Sequence, residues 1–180
     1  MVKYIEGNIL DITNGIICHQ VNTQGVMGAG LAKQIRDKWP NVYFDYKGVL
    51  REYGNEIFGH SSYSFVEMGV GDGGDRVAVA NLYAQNSYGY HGVYTDYDAL
   101  RSALEDVREN AMGFAPNHFL QMLVGLPVYI PYGLGCGLAG GEWSRVAKII
   151  DDVFGESDVE CYVIKYSYLA KYNNVNYNER

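Results

Sequence analysis

The chain has 180 residues, 48% hydrophobic and 19% charged, with a formal net charge of −7. That is enough chain for one globular domain with a sizeable core. The acid excess argues against a broad electrostatic surface for nucleic acid, but not against a small pocket that takes one nucleotide.

The sequence predicts a first strand over residues 2–6, closed by Gly7, and a short connection through Asn8-Ile9-Leu10-Asp11. The short, β-branched apolar run at 16–21 predicts a buried strand. A glycine-rich loop follows, then a helix from about 29 to 39, ended by Pro40. Asn41 to Tyr53 carries Val42, Tyr46 and Val49/Leu50 at helical spacing, with Gly54 as its stop. A strand is expected over 61–68, a hairpin-type turn over 69–75 and a strand from Arg76 to Tyr83. Ala84 to Tyr94 is polar and tyrosine-rich and has no clear period. Thr95-Asp96-Tyr97-Asp98 resembles a capping box, opening a helix with Leu100, Ala103, Leu104 and Val107. Residues 113–126 are an ambiguous connection. Val128-Tyr129-Ile130 predicts a strand that enters a second glycine loop, 131–141. A helix starts near Glu142, with Val146, Ile149, Ile150, Val153 and Phe154 on one face. A last strand spans 159–165. One domain over 1–170 and a polar, loosely held tail over 171–180 are expected.

Strands alternating with helices imply a layered α/β domain with a mostly parallel sheet, and ligands in such sheets bind beyond the carboxyl ends of the strands. Both glycine loops fall on that rim. The first, with Gly25, Gly28 and Gly30, runs from a strand into a helix N-terminus, where unpaired amides and the helix dipole favour an anion. It is no Walker A loop, because Leu31-Ala32 stand where Lys-Ser/Thr must cradle phosphate. Nor is there a Rossmann fingerprint: Gly133, Gly135 and Gly137 lack the third-glycine spacing. Two loops giving amides to one diphosphate would be a different solution. The three cysteines, Cys18, Cys136 and Cys161, are widely spaced with no CxxC, which fits reduced thiols in a cytoplasmic protein. No signal peptide and no membrane-spanning run is evident. The 17 tyrosines read as aromatic lining plus core.

The order Tyr4-Ile5-Glu6-Gly7-Asn8-Ile9, then His19-Gln20-Val21-Asn22 with Gly25 to Ala32, then Pro131 to Leu138, resembles a macro domain from about residue 2 to 165. It is similar to the branch containing ADP-ribose 1''-phosphate phosphatases and terminal ADP-ribose glycohydrolases. The resemblance implies a three-layer α/β/α domain, with a mixed, mostly parallel central sheet, that binds ADP-ribose without a metal or cofactor. It places Asn8 where many macro domains have an Asp that reads the adenine amino group, and lets Ile9 offer its backbone N–H to the ring. Asn22 would orient the distal ribose. Gln24, Gly25, Met27, Gly28, Ala29 and Gly30 belong to the first ligand loop. Gly133, Leu134, Gly135, Cys136, Gly137 and Leu138 form the second.

His19 matches a histidine implicated in the phosphatases, three residues before the loop Asn. Near a distal phosphate it could position water, or donate to the leaving oxygen; as a core histidine it would bond only to backbone. His91 could reach over the distal ribose or lie on a surface loop. Among Tyr83, Tyr88 and Tyr90 a ring could stack on adenine or cover the ribose, with core packing the default for Tyr83; Gln85 and Asn86 could contact ribose hydroxyls or merely end the strand. The glycohydrolase mechanism needs a Lys nucleophile and an Asp after its Gly-Cys-Gly-Leu; here Ala139 follows Leu138 and no Lys occurs between Arg76 and Asp98. Three readings follow, with His19 and Asn22 as the catalytic pair in the first. They are a phosphatase on ADP-ribose 1''-phosphate, a non-catalytic reader of ADP-ribose, and a hydrolase freeing ADP-ribose from modified protein or nucleic acid.

Overall fold

The computed structural model describes residues 1–69, 74–89, 91–114 and 118–167. Tyr90, most of the expected turn at 69–75, and the tail lie outside them. Six strands form one sheet: β1 (Val2–Gly7), β2 (Gly15–Asn22), β3 (Ser61–Met68), β4 (Arg76–Gln85), β5 (Val128–Pro131) and β6 (Cys161–Tyr166). Their order is β1-β6-β5-β2-β4-β3, parallel throughout except for the antiparallel β3–β4 pair. This is the mixed, mostly parallel sheet expected from the sequence.

Two helix layers cover the sheet. On one face α1 (Gly30–Lys38) and α2 (Pro40–Tyr53) pack through Ile35, Val42 and Tyr46 onto Ile17, Val21, Val79 and Tyr83. On the other, α3 (Tyr97–Met112) and α4 (Trp143–Phe154) cover Ile16, Cys18, Ala80, Leu82 and Ile130. Strands buried on both faces read as continuous apolar runs, and β2 and β4 do so. α4 turns Val146, Ile149, Ile150, Val153 and Phe154 inward, the stripe a helical period of about 3.6 residues dictates.

At two boundaries the residues play other roles than expected. Pro40 does not merely end a helix: it occupies the first turn of α2, where its missing N–H costs nothing. Trp39, immediately before it, sits at φ −130°, ψ 83°, outside the helical region that a following proline disfavours. The cap of α3 is Asp96 rather than Thr95; its carboxylate accepts the Ala99 amide at 2.9 Å. Thr95 is thereby released for a different task. The connection at 113–126 contains a 3-10 turn, Leu120–Leu123.

Candidate functional site

Asn22 ends β2 and builds the first loop. Its Oδ1 accepts the amides of Gln24 (3.0 Å) and Val26 (3.2 Å), while its Nδ2 donates to the Val26 carbonyl at 2.7 Å. The Tyr46 hydroxyl, brought in by α2, lies 2.6 Å from the Asn22 carbonyl and 3.0 Å from its Oδ1. Tyr46 is fully buried and stacked on Tyr83 with ring centroids 5.8 Å apart, and burial pushes its ionisation well up, so it remains a donor. The loop delivered by this clamp ends at Ala29, the N-cap of α1, where no side chain caps the helix. The first amides of α1 are therefore left to solvent or to a ligand.

The second loop is pinned from the opposite side of the sheet. Leu134 donates back to the Pro131 carbonyl (3.0 Å) and Cys136 to the Gly133 carbonyl (2.8 Å), giving two successive tight turns. Gly133 and Gly135 take φ values of 79° and 69° to make them. Successive tight turns through glycine are a geometry suited to anions. Thr95 Oγ1 donates to the Gly135 carbonyl at 2.7 Å, and Gly141 donates to the same oxygen at 2.9 Å. Gln20 Nε2 in turn donates to Thr95 Oγ1 (2.9 Å) and to Gln85 Oε1 (2.8 Å). The Ala139 carbonyl accepts both the Tyr94 and Thr95 amides, tying the segment before α3 to this loop.

Between the loops lies a cavity of about 440 Å³ over the carboxyl ends of β2 and β5. Pockets of this order hold ligands of drug or nucleotide size. Of the residues singled out from sequence, His19, Asn22, Gly28, Ala29, Gly30, Gln85 and Tyr88 line it on one side. Gly133, Leu134, Gly135, Gly137 and Leu138 line it on the other. Seven do not. Asn8 caps a 3-10 turn, accepting the Leu10 amide at 3.1 Å, and Ile9 is buried in the core against α1 and α2. Met27 is also core, Gly25 lies against Lys47, and Gln24 donates to the Asn86 carbonyl. Cys136 packs toward α3 and α4 with its thiol donating to the Leu134 carbonyl, and burial raises its pKa. His91 is exposed, its carbonyl accepting from the Tyr94 hydroxyl.

The sequence reading missed Gln20, Tyr132 and Ala139, which line the cavity, and Thr95, Tyr46 and Asn81, which hold residues that do. Asn81 left a signal: it is a single amide inside the apolar run Val77 to Ala84. Thr95 left none, because a Thr before Asp reads as a helix cap.

His19 is 1% exposed and sits at the cavity floor, its Nε2 2.7 Å from Asn81 Oδ1. Burial lowers its pKa to about 4, against a smaller upward push from Asn81, so the imidazole is neutral at pH 7. Its Nδ1 is buried without a partner among the described residues. Among the described residues no cluster of three or more His, Cys, Asp or Glu could hold a metal ion. No helix among them is long and apolar enough to cross a membrane.

A three-layer fold with two glycine loops facing each other over the strand ends is the macrodomain arrangement, and solved macrodomains share the fold of this chain. No protein-family model matches it. A macrodomain protein from Streptomyces coelicolor superposes with a TM-score of 0.66 at 25% identity, covering 93% of this chain and 99% of the other. The macrodomain of Mycobacterium tuberculosis DarG gives 0.68 at 20% identity, over 92% and 97%. Thermosipho africanus DarTG, solved in complex with ADP-ribose, gives 0.71 at 20% identity, over 93% of this chain and 42% of that one. In sequence, an ADP-ribose 1''-phosphate phosphatase of Saccharomyces cerevisiae is 22% identical over 177 residues, 89% of this chain and 97% of the relative.

Proposed function

We propose that the protein binds ADP-ribose-type ligands and removes the phosphate from ADP-ribose 1''-phosphate. The observation that carries the reading is the pair of glycine loops converging on one cavity, with an uncapped helix N-terminus on one side and His19 beneath. Backbone amides from both loops would hold the diphosphate, and Asn22 would fix the loop that meets the distal ribose. Attack by water on the terminal phosphorus breaks its bond to the C1'' oxygen and yields ADP-ribose and inorganic phosphate. An imidazole with a pKa of about 4 is a weak base at pH 7. Its work is to accept a hydrogen bond from the attacking water and orient it, and amide electrostatics supply the rest. Turnover is therefore modest. The yeast phosphatase relative supports the choice of substrate.

The test measures phosphate and ADP-ribose release side by side, from the 1''-phosphate and from ADP-ribosylated protein and DNA. Phosphate release from the 1''-phosphate is expected, with His19→Ala lowering kcat about 10²-fold, the low end for a group that handles a proton. Binding of ADP-ribose without phosphate release overturns the enzymatic part. The burial of His19 at 1% exposure favours the second reading, a reader that binds ADP-ribose without turnover. Calorimetric binding with no release from any conjugate selects it.

A further inference from the structure

His19, Asn81 and Ser62 form one row across three neighbouring strands. His19 pairs with Asn81 between β2 and β4, and Asn81 pairs with Ser62 between β4 and β3. The three side chains are linked as the register predicts. His19 Nε2 lies 2.7 Å from Asn81 Oδ1, and Asn81 Nδ2 donates to Ser62 Oγ at 3.3 Å. Ser62 Oγ also meets the Tyr83 hydroxyl at 3.1 Å, and Tyr83 stacks on the Tyr46 ring that clamps Asn22. Asn81 is fully buried.

We infer that Asn81 is a positioning residue that fixes His19 as the Nε2–H tautomer and leaves the buried Nδ1 as a bare acceptor. The inference rests on the reading of His19 as the group that orients water.

Turning the Asn81 amide would place its NH₂ toward His19 Nε2 and force the imidazole proton onto Nδ1. Nδ1 has no partner among the described residues, and a buried N–H without an acceptor is one of the rarer and costlier defects of a folded chain. An unused lone pair on Nδ1 is the milder defect. With Oδ1 toward His19, Asn81 accepts from Nε2–H and donates to Ser62, so both ends of its amide are used. A neutral imidazole needs this outside instruction, because nothing intrinsic to the ring fixes where the single proton resides.

The tautomer can be read directly from the two imidazole nitrogen shifts of His19 in ligand-free, nitrogen-15-labelled protein at pH 7. Nε2 is expected to give a protonated-nitrogen signal and Nδ1 an unprotonated one. The reverse pattern, or a single averaged signal, overturns the inference. Asn81→Leu removes the acceptor and is expected to average the two signals. Asn81→Asp keeps an acceptor oxygen and is expected to keep the proton on Nε2. An unchanged tautomer in a folded Asn81→Leu protein would show that something else fixes the ring. Should that variant fail to fold, the wild-type and Asn81→Asp spectra still decide the point. With the 1''-phosphate as substrate, Asn81→Leu is expected to lower kcat about tenfold or more with little change in KM, and Asn81→Asp to recover part of it. The nitrogen spectra need no turnover. If they come out as expected while no phosphate is released, the catalytic reading fails and the assignment of Asn81 stands.

Discussion

A buried neutral imidazole makes the stability of this chain depend on pH in a definite direction. His19 has a folded-state pKa of about 4 against an ordinary value near 6.5, because burial disfavours the cation. The unfolded chain therefore binds this proton more readily than the folded one. Above pH 6.5 both states hold His19 neutral and it imposes no penalty. As pH falls from 6.5 toward 4 the unfolded state gains a proton that the folded state refuses, and stability declines. Below 4 both are protonated and the loss levels off, at about 3 kcal/mol for a shift of this size. Urea unfolding of wild type and His19→Gln at pH 5 and pH 7.5 checks this. The variant should lose less stability than wild type between the two pH values. Equal losses would mean that the imidazole takes up its proton without unfolding.

At the level of elements, the strands and helices were legible because each carries one dominant period. Short apolar runs gave the strands buried on both faces, and the stripe of α4 gave a helix packed on one. The caps were less legible, since Thr95 and Asp96 are both good capping residues and sequence alone cannot say which one packing will draw away. Here the second glycine loop draws Thr95, whose hydroxyl holds the Gly135 carbonyl. The candidate site was legible where glycine marks a close approach and illegible where one side chain acts through another, as Asn81 and Thr95 do. Gly135 is where the site depends most on its supports. At φ 69° a side chain is already strained, and an added Cβ would meet Gln20 Oε1 at 2.4 Å and Thr95 Oγ1 at 2.8 Å. Gly135→Ala is expected to cost about 2 kcal/mol or more and to spread the two loops apart. Gly137 also lines the cavity, but a Cβ there meets nothing within 4 Å. Gly137→Ala should leave thermal stability near wild type. Thermal unfolding of both variants, with and without ADP-ribose, tests the pair. Equal stability would remove the Gln20–Thr95 brace from the account.

The whole molecule sets a further condition on any anionic ligand. The chain carries a formal net charge of −7, and among the described residues the cavity is lined by no Lys or Arg. A diphosphate entering it meets long-range repulsion and short-range attraction, the attraction coming from neutral amides and the N-terminus of α1. The two respond differently to salt. Repulsion between the ligand and distant carboxylates is screened once the Debye length falls below their separation, from about 10 Å at 0.1 M to about 3 Å at 1 M. Hydrogen bonds from amides inside a cavity are screened much less. Binding built on lysines would weaken steeply with salt, because bound counterions are exchanged for the ligand. Here ADP-ribose affinity, measured by calorimetry between 50 and 500 mM sodium chloride (roughly a threefold fall in Debye length), is expected to stay level or to tighten slightly. A loss of about tenfold or more over that range would place a cation in the ligand's path and would locate the diphosphate away from the two glycine loops.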